Sequence, residues 1–284
     1  MDISIQQEIK AKFRNGAVCP HCGSKDINKF GFFSGKQRYR CKDCKRTFNL
    51  YTKTLLSWSH YKDKWESFIH TMSQDMSLRK AELQVGVSYS ALFYWRHKIM
   101  TILNEENDEK LHGVLELMNM KLKYLDKYRN IKEEEIYESG AQNVFFTFLY
   151  QRDYRLESYI YKERKGVRLF INDLSDNIDE NSIICLHSNY PFRYPLIYKK
   201  VKIADKKDYK RVNYFNADNV KKYLGQFRCW MKMFRGVSSK NLIKYSALFK
   251  SHKIFNNMEC IILCSLRDYG SLQNQYAVKG VFGF

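Results

Sequence analysis

Two cysteine pairs, Cys19-Pro20-His21-Cys22 and Cys41-Lys42-Asp43-Cys44, repeat the spacing C-x2-C with 18 residues between them. Two intervening residues let both sulfurs of a tight turn point at one tetrahedral cation about 2.3 Å away, which is how thiolates hold zinc. Cys19, Cys22, Cys41 and Cys44 are therefore the expected metal ligands. The Zn2+ they imply is structural, because four thiolates fill the shell and leave no position for a catalytic water. His21 lies inside the first pair as a bystander. Cys185, Cys229, Cys260 and Cys264 lack this spacing and read as core thiols.

Such a site requires two turns and something to join them. Gly23 follows the first pair where a small residue eases the turn, and the run Lys29-Phe30-Gly31-Phe32-Phe33 followed by Gln37-Arg38-Tyr39-Arg40 reads as a short hairpin. Lys36, Arg38 and Arg40 alternate onto one face of it, where they could lie on phosphates. Residues 61–104 change to helical periodicity. Trp65, Phe68, Ile69 and Met72 recur at steps of three and four, Leu78, Ala81 and Leu83 form a short second helix, and Gly86 breaks it before Ser88. Ser88 is the expected cap of a third helix through Ala91, Leu92, Trp95, Ile99 and Leu103. Helix, Gly turn and a helix with a polar and basic start is a helix-turn-helix pattern, with Ser88, Tyr89, Ser90, Tyr94, Arg96, His97 and Lys98 as its expected DNA contacts.

Charge supports a polyanionic partner. The 284 residues carry a formal net charge of +19, distributed as +10 over residues 1–104, −5 over 105–180 and +14 over 181–284. A generally basic surface would spread evenly, so two basic lobes around an acidic middle suit separate nucleic-acid contacts. No stretch approaches the roughly 18 apolar residues of a membrane span. The start, MDISIQQEIKAKFRNG, lacks the apolar core of a signal peptide. The expectation is a cytoplasmic protein, nucleoid-associated in a bacterium, with no membrane partner and with its cysteines in a reducing compartment.

The run C-P-H-C-G-S…G-F-F-S-G-K-Q-R-Y-R-C-K-D-C-K-R-T-F, followed by S-L-R-K…V-S-Y-S-A-L-F-Y-W-R-H-K-I, resembles the start of zinc-ribbon insertion-sequence transposases with DDE-type, RNase H-like catalytic domains, the group related to the eukaryotic Merlin elements. The likeness is dense over residues 18–100, weakest between about 120 and 215, and resumes at Val220-Lys-Lys-Tyr…Trp230-Met-Lys-Met-Phe-Arg-Gly-Val. It implies acidic residues on neighbouring strands holding two divalent metals, which activate the attacking oxygen and stabilise the leaving one. It also implies a homodimer or higher assembly on double-stranded DNA, with other protein subunits as further partners.

At the positions the resemblance assigns to those acids, this chain differs. The first motif falls on Gly113-Val-Leu-Glu116-Leu-Met118-Asn119, with Met118 in the place of Asp. The second falls on Ile183-Ile-Cys-Leu-His187, with His187 in that place, and the third on Val220-Lys221, with its downstream basic residue near Arg228. Methionine does not hold magnesium, histidine holds it poorly, and lysine repels it. A displaced acidic set would have to come from Glu116 and Asp126, Asp173, Asp176 or Asp179, and Asp218. The clustered acids of L-S-D-N-I-D-E-N read more simply as a solvated loop.

The expected architecture is multidomain α/β: a zinc ribbon over 1–55, a helix-turn-helix over 56–104, and an RNase H-like mixed sheet flanked by helices over 105–284. Val144–Tyr150 and Tyr154–Tyr161 read as a hairpin in that sheet, joined by strands around Glu116 and Ile183. Residues 220–250 read as an amphipathic helix with Trp230 and Phe234 on the sheet. Lys221, Lys222, Arg228, Lys232 and Arg235 face outward from it as a second phosphate-contact surface. The expected function is sequence-specific DNA binding without strand transfer, as a regulator or targeting subunit. The alternative is an active transposase using Mg2+ at a displaced site.

Overall fold

Between the cysteine pairs the chain makes the expected hairpin and adds a third strand. β1 (Ile27–Phe33) pairs antiparallel with β2 (Lys36–Cys41), and β2 with a short β3 (Thr47–Asn49). Ser34 and Gly35 form the two-residue turn with φ of 48° and 71°, the doubly left-handed geometry that follows the twist of the strands. The structure, a computed structural model, describes residues 5–14, 16–104, 110–123, 143–152, 155–162, 176–186, 202–204, 216–234 and 236–254, with single positions at 172, 174 and 196. His187, Arg235, Asp126, Asp173, Cys260 and Cys264 lie outside them. Two units divide the chain, Met1–Glu105 with Ser251–Phe284, and Glu106–Lys250.

The first unit begins with a helix that the opening residues do not advertise, α1 (Ile5–Arg14). Ile5, Ile9 and Phe13 are spaced one turn apart. Ile5 and Ile9 are buried, and Phe13 meets Tyr39 of the hairpin at 4.7 Å between ring centroids. At its other end the Ile5 amide donates to Glu66 Oε1 at 2.9 Å, so α1 reaches from the ribbon to the helices that follow.

Those helices are α2 (Trp65–Ser73), α3 (Leu78–Val85) and α4 (Tyr89–Leu103). Trp65, Phe68, Ile69 and Met72 are all buried, as their spacing predicts. Trp65 stacks on Trp95 of α4 at 4.4 Å, with the Phe68 ring edge-on to both. Ser77 caps α3 through the Lys80 amide, and Gly86 ends it with φ of 70°, donating its amide to Glu82 O. The cap of α4 differs from expectation. Ser88 occupies the N-cap position without a side-chain cap bond, and the Tyr89 amide donates instead to Glu82 Oε1 at 2.8 Å. Turn and cap thus depend on the same α3 glutamate.

A larger correction concerns the outer face of α4. Arg96, His97 and Lys98, expected as DNA contacts, are buried. The physical reason is that α4 is covered on every side over residues 95–100, where its second half is a core helix. The Arg96 guanidinium lies over the Phe93 ring at 5.6 Å, and the His97 ring packs on the same phenyl at 4.5 Å. Lys98 Nζ donates to Leu55 O at 3.2 Å and Ser57 O at 2.5 Å and faces the Tyr94 ring, tying the 54–59 turn to α4.

The second unit is a five-stranded sheet in the order β6-β5-β4-β7-β8. β4 (Val114–Lys123), β5 (Asn143–Gln151) and β6 (Arg155–Lys162) form an antiparallel meander, the expected hairpin with the Glu116 strand beside it. β7 (Ile183–Leu186) and β8 (Lys202–Ile203) add on the other side of β4, parallel to it and to each other. Alternation divides β4. Leu115 and Leu117 join Leu149, Ile184, Leu186 and Leu196 in one apolar cluster, while Glu116, Met118 and Met120 take the opposite face.

That opposite face carries α5 (Asp218–Met231). The sequence reading of one amphipathic helix over 220–250 resolves into two, with a turn at Gly236 (φ 68°) before α6 (Leu242–Ile254). Phe227 meets Phe146 and Phe148 of β5 at 5.6 and 5.3 Å. Trp230 and Phe234, expected on the sheet, pack together and against Tyr245 of α6, where Trp230 also meets Phe249.

Burial, with repulsion from Lys62, lowers the Lys98 ammonium from its ordinary 10.5 to about 8. Between those values the unfolded chain binds more protons than the folded one, so this group makes stability rise with pH across that window. The difference in urea midpoint between wild type and Lys98→Met should therefore move in favour of wild type from pH 7.5 to pH 9.5. An unchanged difference would refute the assignment.

Candidate metal centre and nucleic-acid interface

The four ribbon cysteines converge. Their sulfurs all lie within 4.8 Å of one another, with Cys19 Sγ to Cys44 Sγ and Cys22 Sγ to Cys41 Sγ each at 3.6 Å. A tetrahedron with bonds of about 2.3 Å has edges of about 3.8 Å, so the spacing fits one zinc ion and is far too long for a disulfide. Each pair sits on a closed turn. Cys19 N donates to Ser24 O and Gly23 N to Cys19 O, with Gly23 at φ 76°, while Cys41 N donates to Arg46 O. The His21 amide donates to Cys19 Sγ at 3.4 Å. The His21 ring lies near Phe48, and burial followed by Lys53 and Arg46 lowers its pKa, which keeps it a neutral bystander.

Burial pushes the Cys19 thiol up to about 12, so a thiolate there requires a cation beside it. Zinc supplies that charge when it binds, and the residues that would hold it are Cys19, Cys22, Cys41 and Cys44. Among the described residues this is the one His/Cys/Asp/Glu group able to hold a metal ion. The apolar material around it is small: Cys19, Cys41 and Phe48, with Phe13, Ile27, Tyr39 and Cys44 partly covered. Elsewhere, Cys185 is the expected core thiol, raised to about 11 mainly by burial, whereas Cys229 is exposed on α5. An amphipathic helix exposes two residues in three, and Cys229 lies between the inward Phe227 and Trp230.

Lys36, Arg38 and Arg40 do share the face of the hairpin away from Tyr39 and Phe48. Among the described residues no carboxylate pairs with any of the three. On α4 the open residues are Ser88, Tyr89, Ser90 and Tyr94. Arg79, which the sequence reading passed over, joins them from α3 with its guanidinium 5.7 Å from the Tyr89 ring. Its position one residue after the start of α3 gave no periodic signal for a partner on α4. On α5, Lys221, Lys222, Arg228 and Lys232 are exposed, and Arg228 Nε also approaches Met120 Sδ at 2.9 Å.

Glu116 is fully buried and already committed. Its Oε1 accepts from Arg152 Nε at 2.9 Å and from Asn219 Nδ2 at 2.7 Å, and its Oε2 accepts from the Val220 amide at 3.0 Å. Arg152 in turn donates to Asn216 O. The carboxylate thus ties the start of α5 to β4, where the free amides of a helix N-terminus favour negative charge. Met118, two residues on, is half-buried opposite Phe148. Asp176, Asp179 and Asp218 are exposed, and Asp179 closes a turn through the Asn181 amide.

Comparison with known proteins agrees with the ribbon. Residues 10–47 match the family described as a transposase zinc-ribbon domain, of the IS1595 type. Over 84 residues the chain is 34% identical to an uncharacterized protein in the transposable element ISH50 of Halobacterium salinarum. That stretch is 29% of this chain, and the chain spans only 29% of the length of that relative.

Cys41→Ser should lower bound zinc from one equivalent to near zero, read with a chromophoric chelator, and remove the hairpin's protection from proteolysis. Retention of one equivalent would contradict the four-thiolate site. By these matches and this geometry, the chain carries a structural zinc ribbon and is similar to insertion-sequence transposases in that part.

Proposed function

We propose that this is a DNA-binding protein derived from an insertion-sequence transposase, which recognises specific duplex DNA and does not transfer strands. The observation that carries the binding is the transposase-type ribbon with its unpaired cationic face, within a segment of net charge +10. α3 and α4, joined by three residues around Gly86, act as the helix-turn-helix. Ser88, Tyr89, Ser90 and Tyr94 reach base edges, and Arg79 takes the place that Arg96 was expected to fill. Lys221, Lys222, Arg228 and Lys232 supply further phosphate contacts.

The sheet order, three antiparallel strands followed by two parallel ones, supports an RNase H-like reading of residues 105–284. The loss of chemistry rests on the side chains at the positions that the resemblance assigns to the acids, on β4 and at the start of α5. Met118 stands at the position of the first acid, Lys221 at the third, and Arg152, Asn219 and Val220 take three of the roughly four acceptor sites of the Glu116 carboxylate. A carboxylate bound in that way, with a guanidinium on it, has too little acceptor capacity left to bridge a displaced metal pair. The protein acts as a regulator or targeting subunit and, like its relatives in resemblance, as a homodimer or larger assembly.

Duplex affinity should fall steeply with salt, by about tenfold or more between 50 and 200 mM. Tyr94→Ala should narrow the gap between specific and random duplex, whereas Lys222→Ala should weaken both alike. Affinity insensitive to salt would refute the binding. Incubation with bound DNA and Mg2+ or Mn2+ should yield neither nicks nor joined ends, and cleavage abolished by Glu116→Gln would restore the active transposase.

A further inference from the structure

The aromatic residues of β1 do not alternate as a plain strand would place them. Asn28 opposes Arg40 and Lys29 opposes Tyr39, but further along Phe32 opposes Gln37 and Phe33 opposes Lys36, because the register shifts between Lys29 and Phe32. Gly31, at φ 62°, supplies the extra residue of this bulge, and Gln37 Nε2 donates to Gly31 O at 2.9 Å to hold it. Facing side chains across an antiparallel pair share a side. The bulge therefore brings Phe30 and Phe33, of opposite parity, onto the one face that carries Lys36, Arg38 and Arg40.

On that face the rings and cations interleave. The Arg38 guanidinium lies 5.4 Å from the Phe30 centroid and 5.6 Å from that of Phe33, and Arg40 lies 5.3 Å from Phe30. The rings nevertheless stay open, Phe30 at 41% and Phe33 at 67% exposure. At the turn end, the Lys36 and Lys62 ammoniums both lie over the Tyr51 ring, at 5.8 and 5.1 Å. Two adjacent ammoniums with no carboxylate on either, among the described residues, leave a place for one phosphate. On the opposite face Cys19, Cys41 and Phe48 form the buried cluster with Phe13, Ile27 and Tyr39 against it, while Phe32, opposite Gln37 near the turn, is exposed at 70%. An exposed aromatic pair here does not contribute to that core.

We propose that this face of the ribbon binds unpaired DNA, with bases stacking on Phe30, Phe33 and the Arg38 plane and the backbone running over Lys36 and Lys62. Charge complementarity selects a polyanion over an apolar peptide. Open rings with guanidiniums between them select bases over a duplex backbone, whose bases are already stacked on one another. The inference rests on the DNA-binding reading above and adds a second class of ligand to it, a single strand beside the duplex engaged by α3 and α4.

The test uses the zinc-loaded full chain, fluorescence anisotropy and three 20-nucleotide probes: oligothymidylate, an abasic strand of the same length, and a mixed-sequence duplex. Wild type should bind oligothymidylate at least about tenfold more tightly than the abasic strand. The double variant Phe30→Ala/Phe33→Ala, with unchanged zinc content, should lose that advantage and keep its duplex affinity. Phe33→Trp should retain it. Equal affinity of wild type and double variant for oligothymidylate would overturn the proposal. So would wild-type binding of the duplex with none of oligothymidylate, which leaves the duplex reading standing. Binding of oligothymidylate with none of the duplex would do the reverse.

Discussion

Everything in the ribbon depends on four sulfurs meeting within a few ångströms. Its apolar cluster holds only three fully buried residues, of which two are the cysteines themselves. Such a core is too small to offset the entropy of ordering three short strands, so the metal stands in for hydrophobic burial. Because zinc holds the turns from one end and Phe13 of α1 covers one side, the other side of the hairpin has no packing task. Its side chains are free to be charged and aromatic, and they are. Structural economy on one face and a binding surface on the other have the same origin.

In the second unit a carboxylate plays a comparable part. Glu116 sits on a strand that resembles a catalytic one, yet it serves as a joint, receiving the Arg152 side chain and the first amide groups of α5. Removing one partner of a buried ion pair leaves an uncompensated charge and destabilises by roughly 3–5 kcal/mol. The residue that most resembles a surviving catalytic acid is thus fixed in place by the fold. Its neighbour Met118 takes the same face, opposite Phe148, with a side chain that offers no oxygen.

The metal centre was legible because its signal is local: residue type and spacing decide it, with little help from the rest of the chain. The hairpins and the buried face of α2 were legible for the same reason, since period alone identifies them; on α3, Leu83, expected beside Leu78 and Ala81, is exposed, and Val85, one turn on from Ala81, takes the inward place. What failed was the side of α4 that faces water. Arg96, His97 and Lys98 are polar, and polarity predicts exposure only when neighbours leave room. Here the Phe93 ring and the carbonyls of Leu55 and Ser57 take them in. The bulge in β1 was hidden because a single glycine in a strand does not say which residues it will displace. α1 was missed because three apolar residues at four-residue steps, in a polar segment, resemble a solvated start.

The bulge also separates the ribbon's length from its open surface. Loss of the Gly31 codon, in frame, would leave both cysteine pairs and their turns untouched, so the zinc site would still form. Strict alternation would then return to β1 with Phe30 opposite Arg38 and Phe33 still opposite Lys36, and both rings would keep their face. The strand thus tolerates a change of one in its count, because a glycine in the left-handed region absorbs the additional residue before it can turn a side chain over.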